Sequence, residues 1–240
     1  MVRSERARLA VMCSDHNQST VLSVFSIACT KGGEVRMETA ALTLYGTGLL
    51  AAFGWRTVWQ WRRTGRSGWV GLPRDAGVAA RLGVALFGAA LLAGLAGVLA
   101  PVLGAVPVAW VPPVVVGAGL LVAVAGLVVV LASQAQMGRS WRIGVDPGER
   151  TDLVTGGVFG WARNPVFTGM VAVQLGVAVM VPSWWSVAAV LLLVGSVQLQ
   201  VRVVEEPYLR RVHGRAYRGY AARVGRFVPG VGTGRTHAAG

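Results

Sequence analysis

Residues 164–201 read NPVFTGMVAVQLGVAVMVPSWWSVAAVLLLVGSVQLQV, 38 residues without a charged side chain. A bilayer crossing by helix needs about 20 consecutive apolar residues, so this run is long enough to cross and return. Proline breaks a helix and indoles favour the membrane boundary, which places the turn at Pro182-Ser183-Trp184-Trp185. Two polar clusters flank the run. Before it stands Gly157-Val-Phe-Gly-Trp-Ala-Arg163-Asn164-Pro165-Val-Phe167-Thr-Gly169. After it stand Arg202-Val-Val-Glu205-Glu206, His213-Gly214, Tyr217, Tyr220 and Arg226-Phe227-Val-Pro229. A hairpin brings both clusters to one membrane face, so the reading centres on a site at the lipid–water boundary.

The rest of the chain agrees. Hydrophobic residues make up 54%, charged residues 14%, and mean hydropathy is +0.56, whereas soluble domains carry about a quarter charged residues. A second charge-free stretch runs 57 residues, Leu82 to Gly138. Long unbroken apolar runs lack the alternation of a barrel strand, so the expected class is an all-α integral membrane protein of about five spans. The first covers Thr39 to Trp55, the second Gly77 to Ala100, the third Val111 to Ala132, and the hairpin supplies two more. Trp55, Trp59 and Trp61 suit an aromatic belt.

Arg56, Arg62, Arg63, Arg66, Arg74 and Arg81, then Arg139 and Arg142, mark cytoplasmic loops by the positive-inside bias, and the charge-free Pro101–Pro107 connection reads as the outer face. The net charge of +13 follows from these loops and a basic, amphipathic tail after Val204, with no nucleic-acid motif beside it. The C-terminus is then cytoplasmic, in a bacterial inner membrane. Turn chemistry marks Asp146-Pro147-Gly148 and Gly156-Gly157. Cys13 and Cys29 form no metal-ligand spacing, and three histidines without a neighbouring second ligand make no metal site. The domain reading is residues 1–36 as a disordered or non-native extension, 37–135 as three spans, and 136–240 as a cofactor-binding hairpin with its tail. Residues 1–36 carry five Lys/Arg on the wrong side for this topology. Glu34-Val35 can be encoded as a ribosome-binding-like purine run just upstream of Met37.

In a helix Arg202 reaches either glutamate of the pair. Pro207 disfavours helix at Glu206, so the span is expected to break there, leaving carbonyls that attract a cation. Pro165 opens the fourth span with Asn164 in the cap position, and a helix N-terminus attracts anions. Gly169 permits close approach to the backbone. An anion site beside a cation site suits a zwitterionic amino-acid end. Each cluster also has an ordinary reading: a solvated Arg–Glu boundary, a capped helix with Arg163 as anchor, an interfacial tail holding Tyr217 and Tyr220, a turn histidine at His213.

Taken in order, Gly-x-Phe-x-x-x-Arg163-Asn164-Pro165-x-Phe167-x-Gly169, then Arg202-x-x-Glu205-Glu206-x-x-Leu209-x-x-x-His213-Gly214-x-x-Tyr217-x-x-Tyr220 and Arg226-Phe-Val-Pro229 resembles the isoprenylcysteine carboxyl methyltransferase family, related to the phospholipid N-methyltransferases. The resemblance covers Leu153 to Pro229, and Gly138-Arg-Ser-Trp-Arg-Ile-Gly-Val-Asp resembles a loop of bacterial members. It implies an integral membrane methyltransferase using S-adenosylmethionine on a lipidic or small hydrophobic acceptor: a carboxylate, amine or thiol. By matching position it assigns cofactor binding to Arg163, Asn164, Pro165, Phe167, Gly169, Glu205, Glu206, His213, Tyr217 and Tyr220. Glu205 or Glu206 would take the ammonium, and Arg202 and Glu205 are the catalytic candidates. Asn164 stands where many relatives have His, Phe167 where Tyr is common and His213 where Phe is common. Two other readings compete, a membrane sterol-type reductase using NADPH and a non-enzymatic helical membrane protein.

Overall fold

The computed structural model describes residues 33–72, 76–138, 141, 143–144 and 152–234. The Cys13 and Cys29 readings, the Arg74, Arg139 and Arg142 loop positions and the Asp146-Pro147-Gly148 turn lie outside them. The architecture is helical. Helix α1 (Gly33–Leu49) runs through a π-helical turn (Leu50–Trp55) into α2 (Arg56–Thr64). Strand β1 (Trp69–Gly71) later pairs in parallel with β2 (Ile143–Gly144). Helices α3 (Val78–Val102) and α4 (Pro113–Met137) follow, with Pro113 in the first turn of α4, where its missing N–H costs nothing. A 3₁₀ turn (Gly157–Gly160) leads into α5 (Pro165–Met180), α6 (Trp184–Leu199), a second π-helical turn (Gln200–Glu205) and α7 (Glu206–Arg223).

The charge-free run does form a hairpin. Its turn is Val181–Ser183, with the Ser183 hydroxyl accepting from the Ser186 backbone N–H at 3.2 Å. Trp184 and Trp185 stack 3.9 Å apart in the first turn of α6. The two arms of the hairpin contact each other less than they contact other helices. Helix α5 lies along α4, and α6 lies along α3. Two helix pairs thus form the body, with α1 against α3.

Helices α3 and α4, and the helix beginning at Trp184, are each long and apolar enough to cross a membrane. Helix α5 is shorter. Its 16 residues measure about 24 Å at 1.5 Å per residue, against about 30 Å of hydrocarbon. Exposed indoles mark both ends of the bundle, Trp55, Trp61 and Trp161 at one and Trp110 and Trp184 at the other. Helix α1 begins at Gly33, so the helix extends ahead of Met37.

One expectation is corrected. The chain does not break at the glutamate pair. Glu205 and Glu206 keep helical dihedrals, φ −75° and −62°. The wide turn before them accommodates Pro207, which has no N–H to donate. The interruption lies eight residues further on. Gly214 has φ +49° and ψ −116°, a conformation that L side chains resist.

Helices α4 and α5 meet backbone to backbone. A Cβ on Gly126 would fall 2.7 Å from the Gly169 carbonyl oxygen, and one on Gly169 would fall 2.6 Å from that of Gly126. Small residues allow such approach, which replaces the missing hydrophobic drive between helices in lipid. We expect Gly169→Val to force this seam apart and lower the melting temperature in detergent, at a cost of about 1–3 kcal/mol. Gly195→Ala, where nothing lies within 4 Å, should leave it unchanged or slightly raised. Equal melting of the two variants would contradict the seam.

Candidate functional site

The clusters that flank the hairpin meet. Glu206, 5% exposed, lies at the end of the second π-helical turn and points into a set of guanidiniums. Arg226 donates to it twice, Nε to Oε1 at 2.7 Å and Nη2 to Oε2 at 3.0 Å. Arg163 Nη1 stands 3.2 Å from Oε1 with both side chains buried. Arg210, one helical turn on, reaches Oε2 at 3.6 Å from a largely solvated position, where an ion pair adds little. Burial alone would push the Glu206 pKa up. The hydrogen bond from Arg226 and the charges of Arg163, Arg226 and Arg210 outweigh it and hold the carboxyl below its ordinary value.

Arg163 joins three segments. Besides Glu206, its Nη2 donates to the Gly232 carbonyl at 2.7 Å and its Nη1 to the Tyr217 hydroxyl at 3.4 Å, while its Nε is buried with no partner. Tyr217 is buried, and burial followed by the Glu206 charge raises its pKa. Tyr220 donates to the Phe159 carbonyl at 2.6 Å, and burial pushes its phenol up to about 12. Both stay protonated at neutral pH and fasten α7 to the segment before α5.

The segment Gly225–Gly232 straps across the start of α5. Arg163 N–H donates to the Gly225 carbonyl at 2.9 Å, and Asn164 donates to the Arg226 carbonyl from its backbone at 3.1 Å and from Nδ2 at 3.0 Å. Thr168 Oγ1 donates to the Phe227 carbonyl at 2.8 Å. These contacts correct two expectations. Asn164 holds the cap position, but its side chain makes no capping bond, because it serves the strap instead. The N-terminus of α5 is met by carbonyl oxygens of the strap, whose partial negative charge suits that pole of the helix.

The other sequence candidates divide. Pro165 starts α5, buried, and Phe167 packs with Phe87 and Phe227 against Ala90, Leu193, Val197 and Val201. Gly169 is used against α4, as above. Arg202 is exposed and donates through Nε to Gln198 Oε1 at 2.7 Å, and the charges bearing on Glu206 are Arg226, Arg163 and Arg210. The π-helical turn has changed which side chains share a face. Glu205 is half-buried beside the cluster. His213 is half-buried next to the Gly214 interruption, with its Nε2 buried and unpartnered. Arg226 was quoted only within a closing motif, yet it makes the strongest contact with Glu206. Next to the cluster lies a cleft of about 400 Å³ lined by Gly160, Trp161, Arg223, Val224, Gly225 and Pro229, among others.

Residues 114–216 match the family model described as phospholipid methyltransferase. That region runs from α4 through the hairpin into α7 and includes Arg163, Glu206 and His213. Among solved structures, the eukaryotic intramembrane Ras methyltransferase, isoprenylcysteine carboxyl methyltransferase, superposes with a TM-score of 0.57 at 17% identity, over 88% of this chain and 73% of that one. The two share a membrane fold. No curated protein matches the chain.

Glu206→Gln removes the negative charge and leaves Arg163 buried beside Arg226. Breaking a buried ion pair on one side costs about 3–5 kcal/mol, and we expect a large fall in melting temperature, with Arg210→Gln nearly silent. The sign with pH follows from the depressed pKa. The stabilisation is complete above the ordinary glutamate pKa of about 4.3 and disappears as pH falls through the lower folded value. Thermal melts between pH 7 and pH 3 should therefore fall at the acid end in the wild type and flatten in Glu206→Gln.

Proposed function

We propose that this chain is an integral membrane methyltransferase that uses S-adenosylmethionine and methylates a lipidic or small hydrophobic acceptor. The observation that carries the reading is the fastening of the hairpin's two ends and the strap around Glu206, with Arg163 and Glu206 inside the residues 114–216 that match the phospholipid methyltransferase family model. The reading extends to a site on the cytoplasmic face, as the loop arginines imply.

The donor set suits the cofactor in kind. Arg163 Nε and His213 Nε2 are buried polar atoms without partners, Arg163 is paired with Glu206, and the neighbouring cleft is within the usual size range of small-molecule sites, about 300–1,000 Å³. The Glu206 carboxylate is committed to guanidiniums, so its part is to position Arg163 and Arg226. Glu205 is the residue we assign to the ammonium, and Arg163 to the carboxylate. Tyr217 and Tyr220 hold the walls, and Asn164 and Thr168 hold the strap over the start of α5. When bound, the cofactor supplies a methyl group on a sulfonium.

The acceptor's chemistry is constrained by the surroundings. Transfer to a carboxylate or thiolate neutralises charge, which a dry, low-dielectric site favours. Transfer to an amine needs a proton acceptor, a role we assign to the half-buried Glu205, next in the chain to Glu206. Helix α5 is shorter than the hydrocarbon is thick, so at least one of its ends would lie within the leaflet, and we assign that place to its start, within reach of an acceptor held there.

Purified full-length protein in detergent should bind S-adenosylmethionine in calorimetry and transfer labelled methyl into an extract of host lipids and small molecules. Glu205→Ala should weaken binding at least tenfold while leaving the melting temperature within a few degrees. Arg202→Ala, exposed and bonded to Gln198, should act on transfer more than on binding. Undiminished binding in Glu205→Ala would remove that residue from the site, and no binding by the wild type would end the reading.

A further inference from the structure

Glu206 is not the sole buried charge that follows a π-helical turn. Arg56 opens α2 directly after the turn Leu50–Trp55 and is 6% exposed. Such a turn takes in an extra residue and rotates what comes next, and here it swings a guanidinium inward. The group lies 4.3 Å from the centre of the Trp59 ring and 4.9 Å from that of Trp141. Its Nη2 donates to the carbonyls of Gln134 at 3.2 Å and Gly138 at 2.5 Å, at the end of α4. Indole faces and helix-end carbonyls offset part of a cation's charge.

They do not complete it. Arg56 Nε and Nη1 are buried and donate to nothing, and the side-chain carbonyl Oε1 of Gln134, the residue whose backbone carbonyl Arg56 Nη2 reaches, is also buried and accepts nothing. Gln134 Nε2 is meanwhile held by the Ala52 carbonyl at 3.0 Å, which fixes the direction of its oxygen. Among the described residues no carboxylate neutralises Arg56, and the side-chain charge acting on it is Arg63, of the same sign. Glu206, by contrast, has three counter-charges. A buried cation without an anion is costly to keep unless something brings one.

We propose that Arg56 is the binding site for the anionic oxygen group, phosphate or carboxylate, of a membrane amphiphile, with Nε and Nη1 as donors and Gln134 Oε1 accepting from a hydroxyl of the same molecule. The location argues for an amphiphile rather than a free ion. Arg56 stands where the apolar α1 gives way to the basic α2, with Leu50, Trp55, Val58 and Trp61 exposed around it. Those are surfaces for an acyl chain and a headgroup boundary. This site is separate from the Glu206 cluster and does not rest on methyl transfer.

The test is a titration of the full chain in non-ionic detergent, followed by native mass spectrometry. The probes are dihexanoyl phosphatidic acid, laurate, uncharged dihexanoylglycerol and inorganic phosphate. We expect one saturable adduct with phosphatidic acid or laurate, none with dihexanoylglycerol, and at least tenfold weaker binding in Arg56→Gln. The exposed Arg62→Gln should bind as the wild type does. If Arg56→Gln does not purify as a folded species, Arg56→Lys carries the same expectation, since it keeps a cation but removes Nε and Nη1. Equal binding in wild type and Arg56 variants, no saturable adduct, or inorganic phosphate binding as tightly as the amphiphiles would overturn the proposal.

Discussion

One carboxylate set among three guanidiniums organises an entire end of this protein. Glu206 ties together α7, which carries it, the start of α5 through Arg163, and the strap through Arg226. These segments are far apart in sequence and rich in arginine, in a chain of net charge +13. Without a buried negative charge, Arg163 and Arg226 would face each other as like charges in a poorly screened setting. The aromatic contacts follow from that pairing. Tyr217 accepts from Arg163, and Tyr220 reaches the Phe159 carbonyl only because α7 is held against the segment before α5.

The cluster is placed by two devices in the helices themselves. The glycine seam between α4 and α5 sets how closely the hairpin packs, and so where Arg163 begins α5. The π-helical turn at Gln200–Glu205 sets the rotation at which Glu206 leaves α6. The same device at Leu50–Trp55 turns Arg56 inward. In both places a helix near the membrane boundary gives up regular hydrogen bonding and gains an inward-facing charge. That exchange is a recognised mark of functional helices.

The helical membrane class and the meeting of the two polar clusters were legible from residues 164–201. Length and absence of charge are one-dimensional properties, and a hairpin is their direct consequence. Partner choice was less legible. Spacing in an ideal helix puts Arg202 on the face of the glutamates, but the extra residue in the π-helical turn alters that register, and Arg202 bonds Gln198 instead. Pro207 suggested a break that the wide turn absorbs. Gly214 is in the motif, yet nothing adjacent signals its positive φ. The strap was hardest to read. Its contacts with Arg163, Asn164 and Thr168 run through backbone carbonyls of Gly225, Arg226, Phe227 and Gly232, and carbonyls leave no trace in side-chain identity.

The account's central claim is that the region fastened by Glu206 is where a methyl-donor cofactor binds. Ultraviolet cross-linking of methyl-labelled S-adenosylmethionine to the full-length protein, followed by peptide mapping, tests it most directly. The account places the label within residues 153–229, competed away by unlabelled cofactor. Competable label confined to α1 through α3 would contradict it.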